Sequence, residues 1–214
     1  MLNSIFNLDT QNIDERTKVL IHAQTRYLKE GFYKISMDNL AIDLRMSKKT
    51  IYKYFPTKEN LVEEVAQFTM NLISEKVETI ISSDSDVIKK ITGLTEMFGF
   101  FLTQFSEKWL SDIRIHMPAV WEKIDTFRTK KIYAVFSKII EQGKKEDIFL
   151  DKPNEIVITV FVASLRAIVN PEFLFHNKFS YKEAINIALE LLFNGILTDK
   201  GKKLFKKSMN KDEE

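Results

Sequence analysis

A chain with only 6 Gly and 4 Pro among 214 residues has few places to turn sharply, and few turns mean long elements. Its apolar residues recur at intervals of three and four, as in Val19, Leu20, Ala23 and Tyr27 or Leu61, Val65, Phe68 and Leu72. That period belongs to a helix with one buried side. The spacing therefore predicts an all-α fold. Helices are expected over about 14–30, 37–44 and 48–55, then in a long fourth stretch capped by Thr57, and further on over about 86–105, 111–116, 120–144, 154–175 and 181–197. Residues 1–12 read as a loose arm, and a Lys-rich tail follows the last helix. At 44% apolar residues the chain can bury a substantial core.

Several function classes lose their chemical basis at this level. There is no Cys, hence no disulfide and no thiolate ligand or nucleophile. The three histidines, His22, His116 and His176, fall in separate helices without a metal-binding repeat. No Gly-rich phosphate loop or nucleophile elbow is present. Adjacent acids such as Glu63 and Glu64 point different ways on a helix. The expectation is a protein that is not an enzyme, with no cofactor and no metal. The longest apolar run, Ile156 to Leu165, has ten residues, about half of what a membrane span needs. Met1 to Phe6 carry no Lys or Arg, so no secretory leader is expected, and a cytoplasmic location with no membrane partner is.

The informative stretch runs from Ser36 to Leu61, SMDNLAIDLRMSKKTIYKYFPTKENL. Ser36, Ser47 and Thr57 are placed as helix N-caps, contributing about 1 kcal/mol each. Pro56 ends the third helix, because proline disfavours helical geometry in the residue before it. Leu40, Ala41 and Leu44 face inward, small Ala41 lets the two short helices approach closely, Met46 fills the corner, and Ile51 packs back on Leu40 and Leu44. With those positions inside, Lys48, Lys49, Thr50, Tyr52 and Lys53 are left on the outer side, where such residue types meet phosphates and base edges. From Arg45 to Lys58 there are five basic residues and no acid. Two short helices crossing steeply, the second free to enter a major groove, point to duplex DNA as the partner.

The segment from Lys18 to Leu61 resembles the DNA-binding domain of the tetracycline-repressor (TetR) family of bacterial regulators. The resemblance rests on Tyr27 with Gly31-Phe32, Ser36-Met37, Leu40-Ala41, Ser47-Lys48, Thr50-Ile51-Tyr52, Tyr54-Phe55-Pro56 and Lys58-Glu59. It implies a homodimer that binds a palindromic operator and is released by a small ligand, most often as a repressor. Matched residue by residue, it implies DNA contacts from Ser36, Ser47, Lys48, Thr50, Tyr52, Tyr54 and Lys58, mostly at phosphates; the outward face adds Lys49 and Lys53. Two positions depart from the family pattern. Arg45 stands at a turn where Gly is usual, at a cost on the order of 1 kcal/mol if left-handed. Lys49 stands where a second Gly is frequent and lengthens the basic edge.

The expected organisation is thus a helix-turn-helix domain of three helices at 13–57, a helical ligand-binding and dimerisation domain at 58–200, and a basic tail at 201–214. The resemblance implies an effector cavity among the middle helices, with Phe101, Phe105, Trp109, His116, Met117 and Trp121 as wall candidates for a small apolar or aromatic molecule. The helices over about 154–175 and 181–197 are the expected dimer surface. Ile156, Val160 and Ala163 share one side, Phe161, Leu165 and Ile168 lie close by, and Ile185, Leu189, Leu192 and Phe193 are placed at the same seam. The competing reading is a helical protein-interaction module that kept the helix-turn-helix only as a fold.

Overall fold

The computed structural model of the protein describes residues 13–168, 173 and 176–209. The expected N-terminal arm, the end of the predicted helix 154–175, and residues 210–214 of the predicted tail lie outside them. The described residues form α1 (Glu15–Glu30), α2 (Met37–Leu44), α3 (Lys48–Tyr54), α4 (Lys58–Ile81), α5 (Val87–Gln104), α6 (Glu107–His116), α7 (Pro118–Lys145), α8 (Asn154–Ile168), α9 (Tyr181–Asn194) and α10 (Asp199–Met209). No strand occurs among them; a single bridge pairs Phe149 with Leu197. The all-α expectation holds.

The chain divides into two compact units. One takes the described residues up to Ser74 together with Gln104–Phe127, and the other takes Glu75–Thr103 and the described residues from Arg128 onward. The sequence placed a boundary after residue 57, but the first core does not close there. Tyr27, Leu28, Leu40, Ile51 and Phe55 are buried with Leu61, Val62 and Val65 of α4, with Trp109 and Ile113 of α6, and with Val120 of α7. Three short helices present more apolar surface than they can cover among themselves, so the lining extends into later segments.

Within this unit α1 packs against α2, α3 and α6. Tyr27 and Trp109 stack at 6.5 Å between ring centres, and Phe32 meets both edge-on. The Tyr27 hydroxyl is buried without a hydrogen-bond partner among the described residues, and burial pushes its pKa well up. Gln24 is buried too, donating to the Thr69 hydroxyl at 2.9 Å, which itself donates to the Val65 carbonyl. On the surface, Arg26 joins Glu30 to Asp43, and His22 reaches Asp43 at 3.0 Å. The His22 hydrogen bond, and then the Arg26 charge, hold the Asp43 carboxyl below its usual range.

Two helix ends have particular local geometry. Gly31 stops α1 at φ 78° and ψ 161°, a positive-φ region still reserved for glycine but extended rather than left-handed helical. The helix expected at 111–116 begins four residues earlier, because Ser106 caps it by accepting the Trp109 N–H at 3.1 Å.

The second unit is built around a phenylalanine cluster. Phe136 lies 4.5 Å from Phe161, Phe161 lies 5.3 Å from Phe193, and Phe193 also faces Phe149 and Phe205. α8 and α9 pack against each other. Lys90 is buried but satisfied, donating to the Ile81 carbonyl at 2.8 Å and to Gln142 Oε1 at 2.9 Å. The predicted basic tail is a helix through Met209. Between its lysines stand Gly201, Leu204 and Phe205, of which Gly201 is buried so closely that an added Cβ would stand 2.3 Å from the Ile148 carbonyl oxygen.

Gly31 and Gly99 make an opposed pair of tests. A Cβ on Gly31 would fall 2.6 Å from Asp112 Oδ2 at a positive φ, whereas at Gly99 nothing lies within 4 Å. Gly31→Ala should destabilise the protein by about 1–2 kcal/mol, while Gly99→Ala, inside α5, should stabilise it by up to about 1 kcal/mol. Urea-unfolding midpoints check both.

Candidate nucleic-acid interface

The site begins with two helix caps and a left-handed turn. Ser36 accepts the Asn39 N–H at 3.1 Å while Asn39 accepts the Ser36 N–H at 2.8 Å, a reciprocal box that fixes the start of α2. Arg45 ends α2 in the left-handed conformation, φ 54° and ψ 37°, where glycine is preferred. The Met46 N–H then donates to the Ala41 carbonyl at 2.9 Å, closing the turn. Ser47 caps α3 by accepting the Thr50 N–H at 3.0 Å. The non-glycine turn is accommodated with its hydrogen bonds intact.

What orients α3 is burial. Ile51 and Phe55 are both 0% exposed, in one core with Leu40 and Ala41. Ile51 sits inside the seven-residue helix and Phe55 at its C-cap, where its N–H donates to the Ile51 carbonyl, so the two anchors together fix the rotation of α3 about its axis. The opposite side is thereby turned out: Ser47, Lys48, Lys49, Tyr52 and Lys53 are exposed, and Thr50 and Tyr54 are half-buried. Tyr52 keeps 46% of its surface. The positions assigned from sequence to the outer face thus lie together along one short helix, with Ser36 at the head of α2 and Lys58 at the head of α4.

Their partners differ. Tyr54 donates from its hydroxyl to Glu15 Oε2 at 3.1 Å, and the Lys53 ammonium sits 5.1 Å over the Tyr54 ring. Lys48 is ion-paired with Asp38 on α2. Lys58 is half-buried; its ammonium donates to the Tyr33 carbonyl at 2.8 Å and lies 5.6 Å over the Phe32 ring, and burial lowers its pKa. No carboxylate pairs with Lys49 or Lys53 among the described residues. Sequence reasoning missed Asp38 and Glu15. The first was visible as an acid in the opening turn of α2, but its pairing across ten residues needed the turn geometry; the second lies 39 residues from its tyrosine.

The six residues expected to line an effector cavity are divided between the two units. Phe101 belongs to the second unit, the other five to the first. Trp109 is 2% exposed and stacked on Tyr27 in the core beneath the helix-turn-helix. Phe105, Met117 and Trp121 pack against that core from its edge. His116 is exposed and stacks on Tyr33 at 4.1 Å. These aromatics hold α6 to the segment between α1 and α2. Asp112 adds to that hold by accepting the Tyr33 N–H at 2.8 Å, and the Ser106 N–H adds to it by donating to the Leu28 carbonyl at 2.7 Å. The second unit has a surface pocket elsewhere, of about 550 Å³, whose lining includes Lys144, Phe149, Asp151 and Thr198.

Residues 27–65 match the family described as bacterial regulatory proteins, tetR family. Over 175 residues the chain is 22% identical to an uncharacterized HTH-type transcriptional regulator, YvaF, of Bacillus subtilis (strain 168), covering 81% of this chain and 92% of that protein. Among solved structures it is similar to a TetR-family transcriptional regulator from Marinobacter aquaeolei VT8, with a TM-score of 0.71 at 16% identity over 93% of this chain and 98% of that one. A transcriptional regulator from Cytophaga hutchinsonii gives a TM-score of 0.66 at 21% identity, over 85% and 98% of the respective chains.

The inward and outward sides of α3 should separate cleanly in stability. Ile51→Ala is expected to cost about 2–4 kcal/mol, because it opens a cavity under α3. Lys49→Ala should stay within about 0.5 kcal/mol of the parent, as surface substitutions do. Denaturant titration measures both.

Proposed function

From the premise that this chain belongs to the tetR family of bacterial regulatory proteins, and is a DNA-binding transcriptional regulator, we propose that it is a repressor that grips a palindromic operator as a homodimer and lets go when a small effector binds. The observation that carries the DNA reading is the exposed, basic, tyrosine-bearing side of α3, set against a buried side made by Ile51 and Phe55. Lys48, Lys49, Lys53 and Lys58 supply charge to phosphates, Ser36, Ser47 and Thr50 supply hydroxyls, and Tyr52 and Tyr54 supply flat rings with a polar tip. On this reading the protein acts by binding, not catalysis, on DNA in the cytoplasm.

The dimer reading rests on the surface of the second unit. Ile156 is 63% exposed and Val160 49% exposed on α8, with Ile187 at 50% and Leu191 at 70% on α9. The sequence had put Ile185, Leu189, Leu192 and Phe193 at this seam. Ile185, Leu189 and Leu192 turn out to be half-buried, and Phe193 is buried within the phenylalanine cluster. The free apolar stripe is the one through Ile187 and Leu191, continuous in character with that of α8. Exposed aliphatic residues on two neighbouring helices suit a four-helix seam across a two-fold axis.

Release by an effector draws on α4, which starts directly after Phe55-Pro56 and is one helix as far as Ile81. An apolar or aromatic molecule that displaces this helix changes the distance between the two recognition helices, which must stay near one DNA turn, about 34 Å.

A salt series tests the DNA reading. Wild-type binding to its own upstream region should weaken about a thousandfold or more between ~50 and ~200 mM salt. Lys48→Ala combined with Tyr52→Ala should abolish the shift while leaving the oligomeric state unchanged. Absence of any shift for the wild type, at any salt, would favour the interaction module. Light scattering tests the seam: Leu191→Glu should yield a folded monomer, and a variant that stays dimeric removes α9 from the interface.

A further inference from the structure

Lys48 and Lys49 are neighbours in the first turn of α3, both exposed, yet they are not electrostatically alike. Lys48 is held by Asp38, and Lys49 has no carboxylate partner among the described residues. Both ends of the pair are fixed. Asp38 is the second residue of α2 and is placed by the Ser36 cap; Lys48 is the first residue of α3 and is placed by the Ser47 cap. Neither side chain is sheltered, with 47% of Asp38 and 64% of Lys48 accessible. An exposed pair of this kind adds little to stability, at most about 1 kcal/mol. Its location is more telling than its strength, because it sets a carboxylate on the side of the molecule where phosphates must come.

We infer that Asp38 is a specificity-determining residue for DNA binding, acting as a positioning residue through Lys48. This rests on reading α3 as the DNA-binding helix. On a duplex of arbitrary sequence, the gain from giving Lys48 a phosphate is offset twice: the pair with Asp38 has to open, and the freed carboxylate stays beside the backbone. On a matching duplex, contacts from the rest of α3 bring the backbone close enough for Lys48 to bridge phosphate and carboxylate in one geometry. Asp38 therefore weakens indiscriminate binding more than it weakens specific binding. Discrimination built from a repulsive group beside attractive ones is a general route to specificity. A role limited to favouring the positive end of α2 would act on stability alone.

The experiment uses the full chain and two duplexes of equal length, one selected from a random pool by the wild-type protein and one of scrambled sequence. Affinities come from fluorescence anisotropy over a salt series. Asp38→Asn should bind the scrambled duplex about 3–10-fold more tightly, with a log–log salt slope steeper by about one phosphate contact per protomer. The selected duplex should change less than about twofold, so the ratio of the two affinities falls. Asp38→Glu, which keeps the charge, should hold the ratio near the wild-type value. In a Lys48→Ala background the effect of Asp38→Asn should shrink to less than about twofold. The inference is overturned if Asp38→Asn shifts both duplexes by the same factor, shifts neither, or shifts them as strongly without Lys48. If the wild type binds neither duplex, the DNA-binding reading itself has failed, and this inference with it.

Discussion

The burial of two side chains, Ile51 and Phe55, sets the orientation of α3 and of everything on its outer edge. A seven-residue helix has little cooperative stability of its own, so its orientation comes from tertiary contacts rather than from its backbone. With both anchors sealed into the core, α3 can present only one edge to solvent. That edge carries Lys48, Lys49, Tyr52 and Lys53. Rotating the helix by half a turn would bury ammonium groups without partners, at a cost of several kcal/mol each. The outward charge and the inward hydrophobes are one constraint seen from two sides.

That constraint is transmitted through a wider frame than the helix-turn-helix itself. The stack of Tyr27 on Trp109, the edge-on Phe32 and the Asp112 carboxylate on the Tyr33 amide make α6 part of the domain that carries α3. Gly31 shows how tight this clamp is, since Asp112 and Lys108 occupy the space a side chain there would need. Trp109 and His116, which the sequence offered as cavity-wall candidates, stack on Tyr27 and Tyr33 and hold the connection between α1 and α2 in place.

Much of the fold was legible because helix signals are local. The caps at Ser36 and Ser47, the stop at Pro56 and the inward Leu40, Ala41 and Ile51 follow from neighbours within a few residues. The same holds for the outward lysines of α3. What escaped was decided over longer distances. Trp109 reads as a cavity residue until Tyr27, 82 positions earlier, is seen lying against it. The face of α9 that stays free could not be chosen from periodicity, because both of its sides carry leucine or isoleucine and only in the fold do their burials differ. Five lysines in α10 gave no sign that Gly201 between them is buried. Asp38 was visible as a helix-start acid, but its hold on Lys48 depends on the turn at Arg45.

The central claim, that the outer edge of α3 is where DNA lies, is tested most directly by mapping lysine reactivity. Full-length protein is acetylated with and without a duplex selected from a random pool, and each lysine is quantified by mass spectrometry. The account predicts that Lys48, Lys49 and Lys53 become protected on the duplex while Lys202 and Lys203 of α10 react as before. Protection confined to other lysines, with those of α3 as reactive as in the free protein, would contradict it.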